Sequence, residues 1–199
     1  MNKILLFGKF DPSDIKMHDS SLGNMISFET KKTPHTFGRH TADKTKIGIV
    51  ERLINKIMRS GQGKRKLSGK FIRGRDGCGK KIQATQIVEG AFDIVFAQTN
   101  QNPIQMLIKA IENAGPREDT TRIKRGGVTY TVSVDVSPRK RVDEALKNIA
   151  LAAFSASFNS RISAQDALAK EIILAAKEDN ASFSIKRRDE LERIAKSSR

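Results

Sequence analysis

The residues of this chain whose types and spacing could do chemistry are almost all cations. Between positions 59 and 81 stand Arg59, Lys64, Arg65, Lys66, Lys70, Arg73, Arg75, Lys80 and Lys81, against the single acid Asp76 and among six glycines. So basic and glycine-rich a stretch buries too little apolar surface to order by itself. Its ammonium and guanidinium groups suit a row of phosphates. Smaller clusters recur downstream: Arg117, then Arg122, Lys124 and Arg125, then Arg139, Lys140 and Arg141, and finally Lys186, Arg187 and Arg188. These cations, with Lys64, Arg65, Lys66, Lys70, Arg73, Arg75, Lys80 and Lys81, are the candidate phosphate-contacting residues.

Other chemistries find weaker support. Gly74, Gly79 and Lys80 fit the glycine-lysine pattern of a nucleotide phosphate loop. Lys81, however, stands where Ser or Thr would hold magnesium, and Lys70 to Arg73 is not the buried strand such a loop follows. No nucleophile elbow or metal pair is found, so the chain reads as a non-enzyme without cofactor. His18, His35 and His40 are scattered without matching cysteines or helical spacing, which argues against a metal. The lone Cys78 excludes an internal disulfide and a multi-cysteine zinc site, and favours a reducing, cytosolic or nuclear compartment.

The whole chain agrees with its clusters. Its 199 residues hold 37 Lys and Arg against 22 Asp and Glu, a net charge of +15. A charge that large speaks of a polyanionic partner rather than of fold. Hydrophobic residues are 38%, enough for a modest core, and with no Trp and one Tyr base stacking on aromatic platforms is not the main device. The longest apolar run, Ile149 to Phe154, is far too short to span a membrane, and Met1 to Phe10 makes a poor secretory signal.

The elements that must position the cations follow from periodicity. Residues 1–43, nearly balanced in charge, read as an adaptable N-terminal arm, and 44–199 as one helical domain carrying the basic loop 61–79. Ile47, Val50, Ile54 and Ile57 predict a helix over 45–60, and Val88, Phe92, Val95 and Phe96 a core-facing stripe on a second helix from Lys81 to Thr99. Asn102 and Pro103 open a third helix, with Gln105 placed for a capping box, and Gly115-Pro116 closes it. Alternation then takes over: Val128, Tyr130, Val132, Val134 and Val136 face one way, and Gly126-Gly127 makes a tight turn that sets Ile123 opposite Tyr130 and Thr121 opposite Val132. The hairpin, 118–136, is expected to pack its apolar face on the helices and project its basic tip.

Ser137-Pro138 starts a fourth helix, buried through Val142, Leu146, Ile149 and Ala153. Its opening Arg139, Lys140 and Arg141 oppose the helix dipole, so an anion should offset them. Ser163 opens a fifth helix, with Leu168, Ile172, Ala175 and Ala176 inward, and a last runs from about Ser184 to Lys196. The fold expected is mainly α: a bundle of about six helices with one protruding β-hairpin.

From Ile47 to Arg199 the chain closely resembles the small-subunit ribosomal protein seven family, whose eukaryotic members are also called protein five. The matching stretches are Ile49 to Met58, Gly79 to Lys81, Asn102-Pro103 with Ala110 to Asp119, Thr121 to Ile123, Val134 to Pro138 with Arg141 and Val142, and Lys186 to Arg199. The closing Asp189 to Arg199 is similar to the eukaryotic and archaeal branch. The resemblance implies a structural RNA-binding protein that holds the 3′ major domain of small-subunit rRNA and nucleates assembly of the subunit head. Its partners would be that rRNA, neighbouring small-subunit proteins, and exit-site tRNA and mRNA, reached by the hairpin. Its place would be the cytoplasmic ribosome, with a nucleolar stage if the source is eukaryotic. The resemblance departs at Gly61 to Cys78, which lengthens a usually short connection, and at Val128, Tyr130 and Thr131, where eukaryotic relatives are often more basic. Charge alone also fits a basic DNA-architectural or chromatin protein.

Overall fold

The computed structural model of the protein describes residues 5–13, 15–29, 43–60, 66–67, 70–71 and 79–199. Among these are six α-helices: α1 (Ile49–Met58), α2 (Lys81–Thr99), α3 (Pro103–Ala114), α4 (Pro138–Ser157), α5 (Ala164–Ala176) and α6 (Phe183–Ser197). Two antiparallel pairs accompany them: the minimal β1 (Lys66–Leu67) with β2 (Lys70–Phe71), and the long hairpin β3 (Glu118–Arg125) with β4 (Val128–Asp135).

The core forms where the helical stripes meet. α5 packs against α2, α3 and α4, while α1 lies on α2 and α4. Leu53, Val88, Phe92, Leu107, Ile111, Leu146, Ile149, Leu168 and Ile172 are fully buried there. Each such side chain contributes roughly 1.5–3 kcal/mol on leaving water. One member of the expected α2 stripe stays outside: Phe96 is 49% exposed, with the ring of Phe10 centred 6.0 Å away. Position 96 lies four residues past the buried Phe92, on the side of α2 that Phe10 of the arm approaches.

Caps decide where helices begin. Asn102 Oδ1 accepts from the Ile104 amide at 3.0 Å, Ser163 Oγ from Asp166 at 3.1 Å, and Ser182 Oγ from Ile185 at 3.3 Å. Such caps are each worth about 1 kcal/mol. Two expected details differ. Ser137 makes no side-chain cap bond at the start of α4. Gln105 closes no capping box; its Oε1 accepts from Lys16 N at 2.8 Å and its Nε2 donates to Lys16 O at 2.7 Å. A passing peptide offers the amide both a donor and an acceptor, whereas the capping box offers only one donor.

That peptide belongs to residues 5–13 and 15–29, which lie along the helices. Phe10, Leu22 and Ile26 are buried in the core, and Phe7 and Phe10 meet Phe92 edge-on. Asn102 Nδ2 donates to Asp11 O at 2.8 Å, and Glu112 Oε1 accepts from the His18 and Asp19 amides at 2.8 and 3.1 Å. The Ile49 amide donates to Ser27 O at 2.8 Å. Gly48 permits that crossing, because a Cβ there would stand 2.0 Å from Glu29 O. This crossing places the start of α1 at Ile49, after a short 3-10 turn at Asp43–Lys46.

The hairpin has the expected register, Ile123 opposite Tyr130 and Thr121 opposite Val132. Gly126 (φ 57°) and Gly127 (φ 83°) both take the left-handed conformation that a two-residue turn of this hand requires. The expected packing is corrected. Ile123, Val128, Tyr130, Val132 and Val134 are 39%, 53%, 53%, 38% and 39% exposed, so the apolar face does not lie on the helices. Among the described residues the ribbon meets the body near its base. There Ser198 O accepts from Ser133 N at 3.4 Å, Arg199 pairs with Glu118, and Lys140 pairs with Asp119, while Arg117 O accepts from Val136 N at 2.8 Å to close the two strands on each other. Eight residues per strand carry the rest of the ribbon past the end of α6, beyond reach of any stripe that could cover it.

Candidate nucleic-acid interface

The predicted cations fall into three groups once placed. Lys64, Arg65, Arg73 and Arg75 lie outside the described residues, and Lys66 and Lys70 are described only as the backbone of β1 and β2.

A second group is engaged within the protein. Lys81, at the start of α2, pairs with the buried Glu51 at 2.5 Å. That contact ties Lys81 to α1; Gly74 of the near-miss phosphate-loop motif lies outside the described residues. At the start of α4, Lys140 Nζ reaches Asp119 at 2.6 Å and Arg141 Nη1 reaches Asp19 at 2.8 Å. Arg141 is buried. The anions that the helix dipole demands are therefore supplied from within, by the hairpin base and by the arm. Burial opposes ionisation of Asp119, but the Lys140 ammonium and the Thr120 amide outweigh it and lower its pKa. The Ser21 hydroxyl, then Arg141, lower that of Asp19 against the opposing effect of burial. Arg139 is half-buried nearby, and its like charge adds to the burial that depresses Arg52. Arg52 and Lys56 in turn flank Asp143 at 3.3 and 3.4 Å.

On α6, Arg187 pairs with Glu190. Arg188 braces three elements, donating to Asn113 O and Glu178 at 2.7 Å each and to Asp189 at 2.8 Å. The start of this helix is held by a carboxylate that sequence reading missed. Buried Glu171 accepts from Ser182 Oγ at 2.7 Å, Ser184 N at 2.9 Å and Ser184 Oγ at 2.6 Å. Its only signal is a lone Glu within the apolar pattern of α5.

The third group faces solvent. Arg122, Lys124 and Arg125 are exposed near the hairpin turn, and among the described residues none pairs with an acid. Lys80 and Lys186 are exposed at the starts of α2 and α6. Arg117 borders an open groove of about 860 Å³ between the arm, α3 and the start of α4. Lys109 and His18 line the same groove. Sequence reading passed over Lys109 because a single lysine on an amphipathic helix looks like part of a solvated face. Among the described residues no group of three His, Cys, Asp or Glu side chains could hold a metal, and no helix is long and apolar enough to cross a membrane.

A helical body with a bare cationic ribbon is the setting in which the comparisons stand. Residues 24–199 match the profile of the family described as Ribosomal protein S7p/S5e. Over 198 residues, 98% of this chain and 100% of the relative, the chain is 46% identical to the small ribosomal subunit protein uS7 of Thermoplasma volcanium. Similarity over 98% of this chain and all of the relative, with the family profile matched from residue 24 to 199, leaves one assignment: the chain belongs to the Ribosomal protein S7p/S5e family.

Proposed function

We propose that the protein is a structural component of the small ribosomal subunit that binds the 3′ major domain of its rRNA, nucleates assembly of the subunit head, and lines the exit-site tRNA and mRNA exit region. The observation that carries this reading is the 46% identity, over 98% of the chain, to a relative named as a small-subunit protein. The charge distribution supports it. Recognition would rest on phosphates, 2′-hydroxyls and shape, because the deep major groove of A-form RNA excludes side chains. The cations suited to this are Lys64, Arg65, Lys66, Lys70, Arg73 and Arg75 in the loop, Lys80, Arg117 and Lys186 on the body, and Arg122, Lys124 and Arg125 on the ribbon. Lys81, Arg139, Lys140, Arg141, Arg187 and Arg188 would act indirectly, by fixing the helix starts that frame the surface. The protein would work by binding, without catalysis, alongside neighbouring ribosomal proteins in the cytoplasmic ribosome, and in the nucleolus during assembly if the source is eukaryotic.

Co-sedimentation with small subunits through a high-salt cushion tests the reading. Retention is expected, together with protection of folded 3′-domain rRNA in preference to duplex DNA. Loss from the particle, with equal protection of duplex DNA, would favour a DNA-architectural protein instead.

A further inference from the structure

Cations at a helix start oppose the helix dipole and call for an anion. Two helices of this protein meet that demand in different ways. At α4 the anions are partly exposed acids, and they take the cations themselves: Asp119 holds Lys140 at 2.6 Å and Asp19 holds Arg141 at 2.8 Å. At α6 no acid stands in the first turn, and Lys186, Arg187 and Arg188 follow directly. The anion there is Glu171 of α5, which is 7% exposed. Its carboxylate accepts four bonds, all from the start of α6: Ser184 Oγ at 2.6 Å, Ser182 Oγ at 2.7 Å, Ser184 N at 2.9 Å and Phe183 N at 3.4 Å. The hydroxyl distances are those of charge-assisted bonds. Ser182 Oγ in turn accepts from Ile185 N at 3.3 Å. One carboxylate thus satisfies, directly or through Ser182, the first three amides of α6, which no helix can satisfy from within.

We propose that Glu171 is a positioning residue for rRNA: it fixes the start of α6 so that Lys186 stands ready for a phosphate. The inference rests on the functional reading above and adds to it a residue that touches no RNA. Burial is what makes the device work. An exposed acid in the first turn of α6 would also offset the dipole, but it would compete for Lys186, as Asp119 does for Lys140. Glu171 spends its acceptor capacity on hydroxyls and amides inside the protein. Lys186 is exposed, and among the described residues no acid pairs with it. Further along α6, Arg188 is spent on holding the helix to the body, donating to Asn113 O and Glu178 at 2.7 Å each. The stretch therefore divides its work: Lys186 faces outward, and Arg188 and Glu171 hold the backbone from which it projects.

The slope of log affinity against log salt, measured with a fragment of the 3′ major domain of rRNA, tests this because it counts phosphate contacts rather than stability. Lys186→Ala should lower the slope by about 0.7–0.9, the contribution of one phosphate. Glu171→Ala, which removes no cation, should lower it by a similar amount, and the double variant by no more than Lys186→Ala alone, since the two act through one contact. Glu171→Gln should restore most of the slope, because its carbonyl oxygen can accept the three bonds that end on Oε1. Ile172→Val, a change at the adjacent buried position of α5, should leave the slope at the parent value. A parental slope in folded Glu171→Ala, additive losses in the double variant, or an equal loss in Ile172→Val would overturn the proposal. If Glu171→Ala does not fold, Ser184→Ala takes its place: it removes one donor from the carboxylate and should lower the slope by a smaller amount, and a parental slope there overturns the proposal equally. A parental slope in Lys186→Ala itself is a failure of the functional reading at that residue and takes this inference with it.

Discussion

Two cation triplets occupy similar stretches of sequence and opposite positions in the fold. Arg139, Lys140 and Arg141 open α4; Arg122, Lys124 and Arg125 flank the hairpin turn. At α4, Asp119 and Asp19 neutralise two of the three, and Arg141 is 7% exposed. At the turn all three are exposed, and among the described residues no acid approaches them. A run of positive charge therefore does not identify a binding surface. What separates the two cases is whether the fold brings carboxylates to the run, and those come from residues up to 122 positions away.

The sharpest way to break the comparison is to remove a charge from each triplet. Arg141→Ala should destabilise the protein by about 2–3 kcal/mol in urea unfolding. That is less than the roughly 3–5 kcal/mol of a fully buried pair, because Asp19 keeps 26% of its side-chain exposure. Arg125→Ala should leave stability within about 0.5 kcal/mol of the parent. Equal losses at the two sites would erase the distinction.

Acid sharpens the same contrast. Asp19, Asp119 and Asp143 all have pKa values lowered from 3.8 in the folded protein. Each then binds protons more weakly folded than unfolded. Its stabilisation is present in full above the unfolded value and is lost as the pH falls through the folded one. The urea midpoint should therefore fall as the solution is acidified below pH 3.8, and Asp19→Asn should flatten that fall. Neutralising the hairpin cations should leave its shape unchanged.

The arm that carries Asp19 is open to a milder test. Gln105→Ala removes both bonds to Lys16 and should cost about 1 kcal/mol, read most directly as faster hydrogen exchange of the Lys16 amide. The smallest effect on stability belongs to the ribbon. Excising residues 124–129 and rejoining the strands should shift the urea midpoint by no more than an ordinary surface change, within about 0.5 kcal/mol. Its consequence should appear in binding: every phosphate that the shortened ribbon no longer neutralises takes somewhat under one unit from the slope of log affinity against log salt. Unfolding of the shortened protein would show that the ribbon holds the body together.

Much of the fold was legible because its determinants are local. The α2 boundaries, the Asn102 and Ser163 caps and the Gly126-Gly127 turn depend on residues within a few positions of one another. What was misread or passed over shares the opposite property. Gln105 bonds a peptide 89 residues away, and Glu112 one 94 away. Glu171 caps a different helix. The alternation of Val128 to Val136 reveals a strand with one apolar face, but not whether anything lies against that face.

By itself the sequence determined the six helices and the long hairpin, the hairpin register, the polyanionic character of the partner and the resemblance to a family. These follow from periodicity, turn chemistry and net charge, which are properties of the chain as a string. The tertiary structure decided which cations are free, that Phe10, Leu22 and Ile26 join the core, and that the hairpin's apolar face is bare. These depend on which distant carboxylate, carbonyl or side chain comes within a few ångströms, and Coulombic and hydrogen-bond energies are fixed by that distance rather than by separation along the chain.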